Sequence, residues 1–577
     1  MKIKRRDWPL EALTNVTHLH PVLKRVYAAR GILEEKEVNY RLEYLEPYHT
    51  LLGIDLASGI LSQAIEAQKR FLVIGDFDAD GATASAVAVR AMKAFGAQFV
   101  DFLVPNRFEY GYGLTPAIVE AALPKKPDII ITVDNGISSC EGVEAAKRYG
   151  IEVVITDHHL AGEKLPEASA IVNPNQPNDP FPSKALAGVG VIFYVMLAVR
   201  ASLSEKGWFE KMNMPRPNMA ELLDIVALGT VADVVPLDRN NRTLVHQGLK
   251  RIQTGVCAAG ITALLSVSGR DYKKINASDL AFSVAPRLNA AGRLEDMSLG
   301  IQCLLTNDPE EALVYAKKLD ELNQERRQIE SQMQQQAVEM MKTMTFDMNA
   351  SRIPSGVCLY EPSWHQGVIG ILAGRMKDRL HRPVIAFADS GKEDELKGSA
   401  RSIPGIHIRD SLDVIAKKHP NLLEKFGGHA MAAGLTIAKS RFSEFQKVFR
   451  QQMTETLKNQ SPQAEVLTDG SLRPEDFNLD LAALLRESGP WGQHFPEPLF
   501  DSTFVIYQQY LLKGKHLKLN LGLEEAPLSI DAIAFNIDEK HWPNPRCKKI
   551  YAVYKLDVNE YQGRRSVQLL IEHLQAV

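Results

Sequence analysis

The sequence predicts a multidomain α/β protein: a parallel-sheet domain, a long connecting helix, a second α/β domain and a C-terminal β-barrel. Three observations predict it. Short β-branched runs alternate with helix-like stretches over residues 70–235, a polar helical pattern runs without a break over 308–344, and the last hundred or so residues are rich in alternating strands. A chain of 577 residues is also too long for one core, since single cores stop growing at roughly 250–300 residues.

In the first domain, FLVIGDFD (71–78), FVDFLVP (99–105), DIIITVDN (128–135) and EVVITDHH (152–159) read as strands ending in polar residues. Helical segments lie between them, among them Thr83–Phe95 and Cys140–Tyr149. Continuous apolar strands with intervening helices indicate a parallel sheet covered on both faces, and in such sheets ligands bind at the carboxyl ends of the strands. The connecting helix has Asp308 as N-cap, Pro309 at its first position and Glu310 and Glu311 in its first turn. Its apolar positions Leu319, Leu322, Ile329, Met333, Ala337 and Met340 form one narrow stripe, as expected of a connector roughly 50 Å long. A second α/β unit follows from about 355 to 455. NQSPQA (459–464) breaks the pattern before the strand-rich end. The expected boundaries are 1–60 for an N-terminal region, 61–305 for the parallel-sheet domain, 306–345 for the helix, 346–458 for the second domain and 459–577 for the barrel.

Composition bounds the function. The net charge of −3 offers no general affinity for nucleic acid, so any such surface must come from local clustering. Five cysteines are scattered with no CxxC pair, which excludes a zinc ribbon and fits reduced thiols in a cytoplasmic protein. The basic start MKIKRRDWPL lacks a following apolar stretch, so no secretory signal is expected. The longest uncharged apolar run, Gly188–Val199, is too short to span a bilayer and reads as a buried helix.

Four acidic clusters carry the chemistry. GDFDADG holds Asp76, Asp78 and Asp80 in one turn; VDNG holds Asp134; TDHH holds Asp157, His158 and His159; GTVADVVPL holds Asp233. The first also resembles an EF-hand opening, but position 12 of such a loop would be Val87 and a strand precedes it, so that reading fails. Three carboxylates in one turn repel each other unless cations neutralise them. Mixed carboxylate and imidazole donors suit Mn²⁺ or Mg²⁺, and two such ions form the usual clamp for phosphate-ester hydrolysis.

In their order, these four motifs resemble those of the DHH phosphoesterase superfamily. VPNRFEYGYGL (104–114), APRLNAAGR (285–293), WHQGVIGI (364–371), GSARS (398–402) and FGGHAMAAG (426–434) extend the resemblance to its single-strand-specific exonucleases. The resemblance implies a DHH domain, a DHH-associated domain and an OB-fold. It also implies a metal-dependent 5′-to-3′ exonuclease that releases 5′-mononucleotides from single-stranded DNA in recombination and repair. Two divalent ions, Mn²⁺ or Mg²⁺, would be held by Asp78, Asp80, Asp134, His158 and Asp233, with Asp134 bridging. His159 would stand beside the scissile phosphate as charge stabiliser or proton donor. Asp76 and Asp157 complete the catalytic set, either as further ligands or as partners that orient the histidines. Arg107, Arg287, Asn289, Arg293, Ser399, Arg401 and His429 form the expected substrate-binding set, with Ser399 and Arg401 holding a terminal 5′-phosphate. In the C-terminal region Tyr507, Tyr510, Tyr551, Tyr554 and Tyr561 lie among lysines and arginines, a pattern that suits base stacking. Single-strand-binding protein and a helicase are the implied partners of a monomer without a membrane attachment. Two rivals are a DHH enzyme for oligonucleotides or cyclic dinucleotides, and a binding scaffold that has lost its metals.

Overall fold

A computed structural model describes all residues except 1, 10, 106–112, 344–352, 459–464, 538–541, 545 and 562. The chain divides into two compact units: Ile3–Asp320 with Leu467–Val577, and Glu321–Val466 with the first two residues.

The core of the first unit is a five-stranded parallel sheet. Its strands are β1 (Phe71–Gly75), β2 (Val100–Leu103), β3 (Ile129–Val133), β4 (Glu152–Thr156) and β5 (Ala170–Val172), in the spatial order β2-β1-β3-β4-β5. Every residue of β1 and β3 is buried, which is why these strands are continuously apolar instead of alternating. The strand order reverses between β1 and β3, so a crevice opens at their carboxyl ends. The loops bearing Asp76–Asp80 and Asp134 leave the sheet at that point.

Helix α1 (Ala79–Ala94) starts in the first of these loops. Asp78 is its N-cap and accepts from the backbone N–H groups of Asp80 and Gly81, both at 3.0 Å. Its buried face is mostly alanine, serine and glycine, which lets α2 (Gly188–Glu205) and α3 (Leu223–Ala232) approach closely. Helix α2 is longer than the apolar run suggested. It continues past Arg200 for 18 residues in all, long and apolar enough to cross a membrane by composition, and two-thirds of it is buried inside the protein. Helix α4 (Ala285–Leu294) carries the APRLNAAGR motif.

Helix α5 (Pro309–Thr343) matches the expected connector, and Asp308 Oδ1 accepts from Glu310 N at 2.8 Å. Its residues up to Asp320 belong to the first unit and those from Glu321 to the second. In the second unit, β6 (Val357–Tyr360) and β7 (Val384–Asp389) are parallel, while β8 (Glu395–Arg401), β9 (Lys425–Gly428) and β10 (Ala432–Ala438) complete a mixed sheet in the order β9-β10-β8-β7-β6. Alternation along β7 separates two cores. Val384, Ala386 and Ala388 pack with Met333, Ala337 and Met341 of α5, while Ile385 and Phe387 pack with Phe445 and Phe449.

The C-terminal strands β11 (Phe500–Leu512), β12 (His516–Leu523), β13 (Ala526–Ala534), β14 (Lys549–Tyr561) and β15 (Arg564–Ala576) close into a barrel ordered β11-β12-β13-β15-β14. The barrel and its flanking segment are bound into the first unit. Arg30 grips Asp469 with two bonds, of 2.8 and 3.0 Å, and both side chains are almost wholly buried. Tyr27 packs on Trp491 and Phe495. Of the five tyrosines expected to stack on bases, Tyr554 is fully buried in the barrel core and Tyr551 donates to Asp501 at 2.8 Å. Inward-facing register removes the first from any surface. Tyr507, Tyr510 and Tyr561 are each more than half exposed.

Candidate metal centre

The acidic motifs converge at the switch point. Ligand atoms of Asp76, Asp78 and Asp134 lie within 4.8 Å of one another, as do those of Asp134, His158 and His159, and those of Asp80, His158 and Asp233. Asp134 is common to the first two groups and His158 to the last two. Asp134 sits in the left-handed region, at φ 62°, where the chain turns sharply off β3. Helix α2 comes so close that a Cβ on Gly188 would lie 2.5 Å from the Asp134 Cβ.

Asp80 is held from the same helix. Gly188 N donates to Asp80 Oδ2 at 2.6 Å and Val189 N to Asp80 Oδ1 at 2.9 Å, so this carboxylate caps a helix that has no side-chain cap of its own. Gly292 of α4 lies against the first acidic loop, where a Cβ would come within 1.7 Å of the Phe77 carbonyl oxygen.

Asp157 is buried and spends both oxygens. Oδ1 accepts from His158 N at 2.7 Å, His159 N at 3.1 Å and, with Nδ1 protonated, the His159 ring at 2.8 Å; Oδ2 accepts from Ile137 N at 2.9 Å. Burial opposes its ionisation, but these donors prevail and hold its carboxyl below the usual range. Burial would also lower the His159 pKa, yet the bond to Asp157 and the charges of Asp157, Asp233 and Asp76 raise it to about 9. His158 is pushed down, chiefly by burial, and so is neutral. Its Nε2 lies 3.0 Å from Asp134 and 3.6 Å from Asp233 without the geometry of a hydrogen bond.

Burial, then the repulsion of neighbouring carboxylates, pushes Asp80 and Asp134 well above the ordinary carboxylate range. Burial raises Asp233 as well, against the pull of His158. Carboxylates strained upward together beside a neutral imidazole are the donor set that a pair of divalent cations satisfies, so the residues fit the expected ions.

The substrate-binding set divides. Arg107 lies outside the described residues. Arg287, expected at the substrate, is buried; it pairs with Asp320 at 2.8 Å and donates to the Ser283 carbonyl. Asn289 accepts from Ala79 N at 2.9 Å and so braces the start of α1. Arg293 is half-buried in the last turn of α4. In the second unit, Arg401 Nη1 donates to Ser399 Oγ at 3.0 Å and to the Ala400 carbonyl at 2.9 Å. Both side chains abut Gly370, where a Cβ would lie 2.9 Å from Arg401 Nη2, so GSARS and WHQGVIGI meet. His429 is exposed in the turn between β9 and β10.

Sequence reasoning missed the backbone donors of Gly188 and Val189, and also Asn173 and Asn175. Asn173 Nδ2 donates to the His159 carbonyl at 2.9 Å, and Asn175 Nδ2 to the His158 carbonyl at 2.6 Å. The available signal was an Asn-Pro-Asn triplet directly after β5.

The chain matches known families in three stretches: the DHH family N-terminal domain over residues 70–230, the DHHA1 domain over 354–455 and the RecJ OB domain over 468–573. Fold and site together define a phosphoesterase of the DHH class with an appended OB domain. The chain is 52% identical to the single-stranded-DNA-specific exonuclease RecJ of Dickeya dadantii, over 96% of each chain. It is 50% identical to that of Escherichia coli, over 100% of this chain and 99% of the relative. The crystal structure of RecJ in complex with Mn²⁺ from Thermus thermophilus superposes with a TM-score of 0.80 at 27% identity, covering 100% of this chain and 80% of that one. The chain belongs to the RecJ family of single-stranded-DNA-specific exonucleases.

Proposed function

We propose that the protein is a metal-dependent exonuclease that degrades single-stranded DNA from its 5′ end, releasing 5′-mononucleotides in recombination and repair. The observation that carries the reading is the convergence of Asp76, Asp78, Asp80, Asp134, His158 and Asp233 at the carboxyl ends of the parallel strands.

Asp78, Asp134, Asp233 and His158, with Asp76 and Asp80, would hold two divalent ions, Mn²⁺ or Mg²⁺. When bound, such ions lower the pKa of water and neutralise charge building on the phosphate. Asp157 orients both histidines and holds His159 cationic. The His159 imidazolium stabilises the phosphate oxygens and can pass its proton to the leaving oxygen. Asn289 positions the start of α1 through Ala79 N, and Arg287 ties α4 to Asp320; both belong to the proposed substrate-binding set. Ser399 and Arg401 anchor a terminal 5′-phosphate, while Tyr507, Tyr510 and Tyr561 offer faces to single-stranded bases. The protein works as a cytoplasmic monomer, with single-strand-binding protein and a helicase as partners.

Digestion of end-labelled single-stranded DNA tests the reading. Mononucleotides should appear with Mn²⁺ or Mg²⁺ from 5′-phosphorylated strands and stop with EDTA. Release that persists in EDTA, or that begins from the 3′ end, overturns it.

A further inference from the structure

The two site histidines are pinned from both sides of their backbone. Asp157 takes their N–H groups, and Asn173 and Asn175 reach back to their carbonyl oxygens. Asn173 is fully buried, and its Oδ1 accepts from Asn175 N at 2.7 Å, which locks the pair together. Asn175 Nδ2 also reaches the Lys184 carbonyl at 3.2 Å. Lys184 Nζ in turn donates to the carbonyls of Pro174 at 2.7 Å and Asp179 at 2.6 Å. A side-chain-built loop therefore grips the two peptide groups that set where the imidazoles point. With its carbonyl fixed, His158 directs Nε2 at Asp134 and Asp233. With its carbonyl and Nδ1 both fixed, His159 has no freedom to turn away.

We infer that Asn173 and Asn175 are separate positioning residues: Asn175 sets metal affinity through His158, and Asn173 sets turnover through His159. The inference rests on the proposed two-ion reading and deepens it. Groups that orient ligands from behind change metal affinity or activity by about 10- to 100-fold when lost. The two asparagines divide that effect because each holds a different histidine.

Asn→Asp substitution is the sharp probe, since aspartate keeps the shape and the acceptor oxygen but cannot donate to a carbonyl. Calorimetric Mn²⁺ titration of the full chain, without DNA, gives the affinity, and single-turnover digestion at saturating Mn²⁺ gives the rate. Asn175→Asp should weaken Mn²⁺ binding by about 10- to 100-fold and regain its rate at high Mn²⁺. Asn173→Asp should bind Mn²⁺ as the native protein does, yet lose about 10- to 100-fold in rate at any Mn²⁺ concentration. If an Asp variant loses its far-UV dichroism, the Ala variant, which also lacks the donor and brings no charge, replaces it and the same two constants are read. Native Mn²⁺ affinity in the Asn175 variant, or equal losses of affinity and rate in both, overturns the division. Failure of the native chain itself to bind Mn²⁺ would instead sink the two-ion reading.

Discussion

Arg401 is the proposed source of polarity, because two cations alone hydrolyse a phosphodiester without sensing an end. Its guanidinium is pre-set by Ser399 Oγ and the Ala400 carbonyl. A charge-assisted bond to a terminal phosphate contributes roughly 1.5–3 kcal/mol. Arg401→Ala should therefore cut the preference for 5′-phosphorylated over 5′-hydroxyl strands by about ten- to a hundredfold while Mn²⁺ binding stays native; an unchanged preference assigns the anchor elsewhere. His246 offers a separate test, remote from catalysis. Burial and then Lys250 push it down to about 4, beside the Tyr40 ring. The unfolded chain takes up this proton below about pH 6.5, whereas the folded chain resists it until about pH 4, so stability falls as the pH drops through that window. Allowing for solvent screening, the loss is about 1–2 kcal/mol. His246→Gln should flatten the fall of melting temperature between pH 7 and 4.5, and an equal slope in both proteins excludes the contribution. At this scale the acidic motifs were legible because carboxylates after apolar strands announce a crevice. The partners of Arg287 and Asn289 were not, since a motif arginine bound to a phosphate and one bound to Asp320 read alike in sequence.

Helix α2 shows what an element adds. Its run of apolar residues was visible, but the cap at its start comes from Asp80, 108 positions away, and no local pattern reveals a cap over that separation. Asp80 therefore caps α2 besides its proposed part in holding metal, and substitutions should separate the two. Asp80→Ala should abolish hydrolysis and also lower stability by about 1–2 kcal/mol, the usual cost of a lost helix cap. Asp80→Asn keeps one acceptor oxygen, so it should be inactive yet melt above the Ala variant. Thermal melts of both without metal check this; identical melting temperatures would remove the capping role. The strand alternation that placed apolar runs correctly could not supply the order β2-β1-β3-β4-β5, which depends on crossovers. It also could not say which tyrosines of the barrel face inward, because the barrel's register is set by partners far along the chain.

For the molecule as a whole, the C-terminal barrel is the informative part. A binding module strung behind a loop-like break would be removable, but the segment leading into this one shares buried contacts with the N-terminal residues of the same unit. Arg30 with Asp469, and Tyr27 with Trp491 and Phe495, would all lose their partners if residues 467–577 were deleted. Removing one partner of a buried ion pair typically costs about 3–5 kcal/mol. The truncated chain should therefore melt well below the native one, in addition to binding long single strands weakly. Circular dichroism melts of both decide it, and an unchanged melting temperature would mean the barrel is an independent module.

The grip of helix α2 on Asp80 and Asp134 has a consequence for how such a chain can decay. A long apolar helix of the core begins on a residue of the proposed metal site, and Gly188 leaves no space there for any side chain. A descendant released from cutting DNA could shed His158 and Asp233 at little structural cost. It would retain Asp80 and Gly188 long afterwards, because folding alone would still select for them. An Asp and a Gly that persist after their neighbours have drifted would then record ancestry and core architecture, not surviving catalysis.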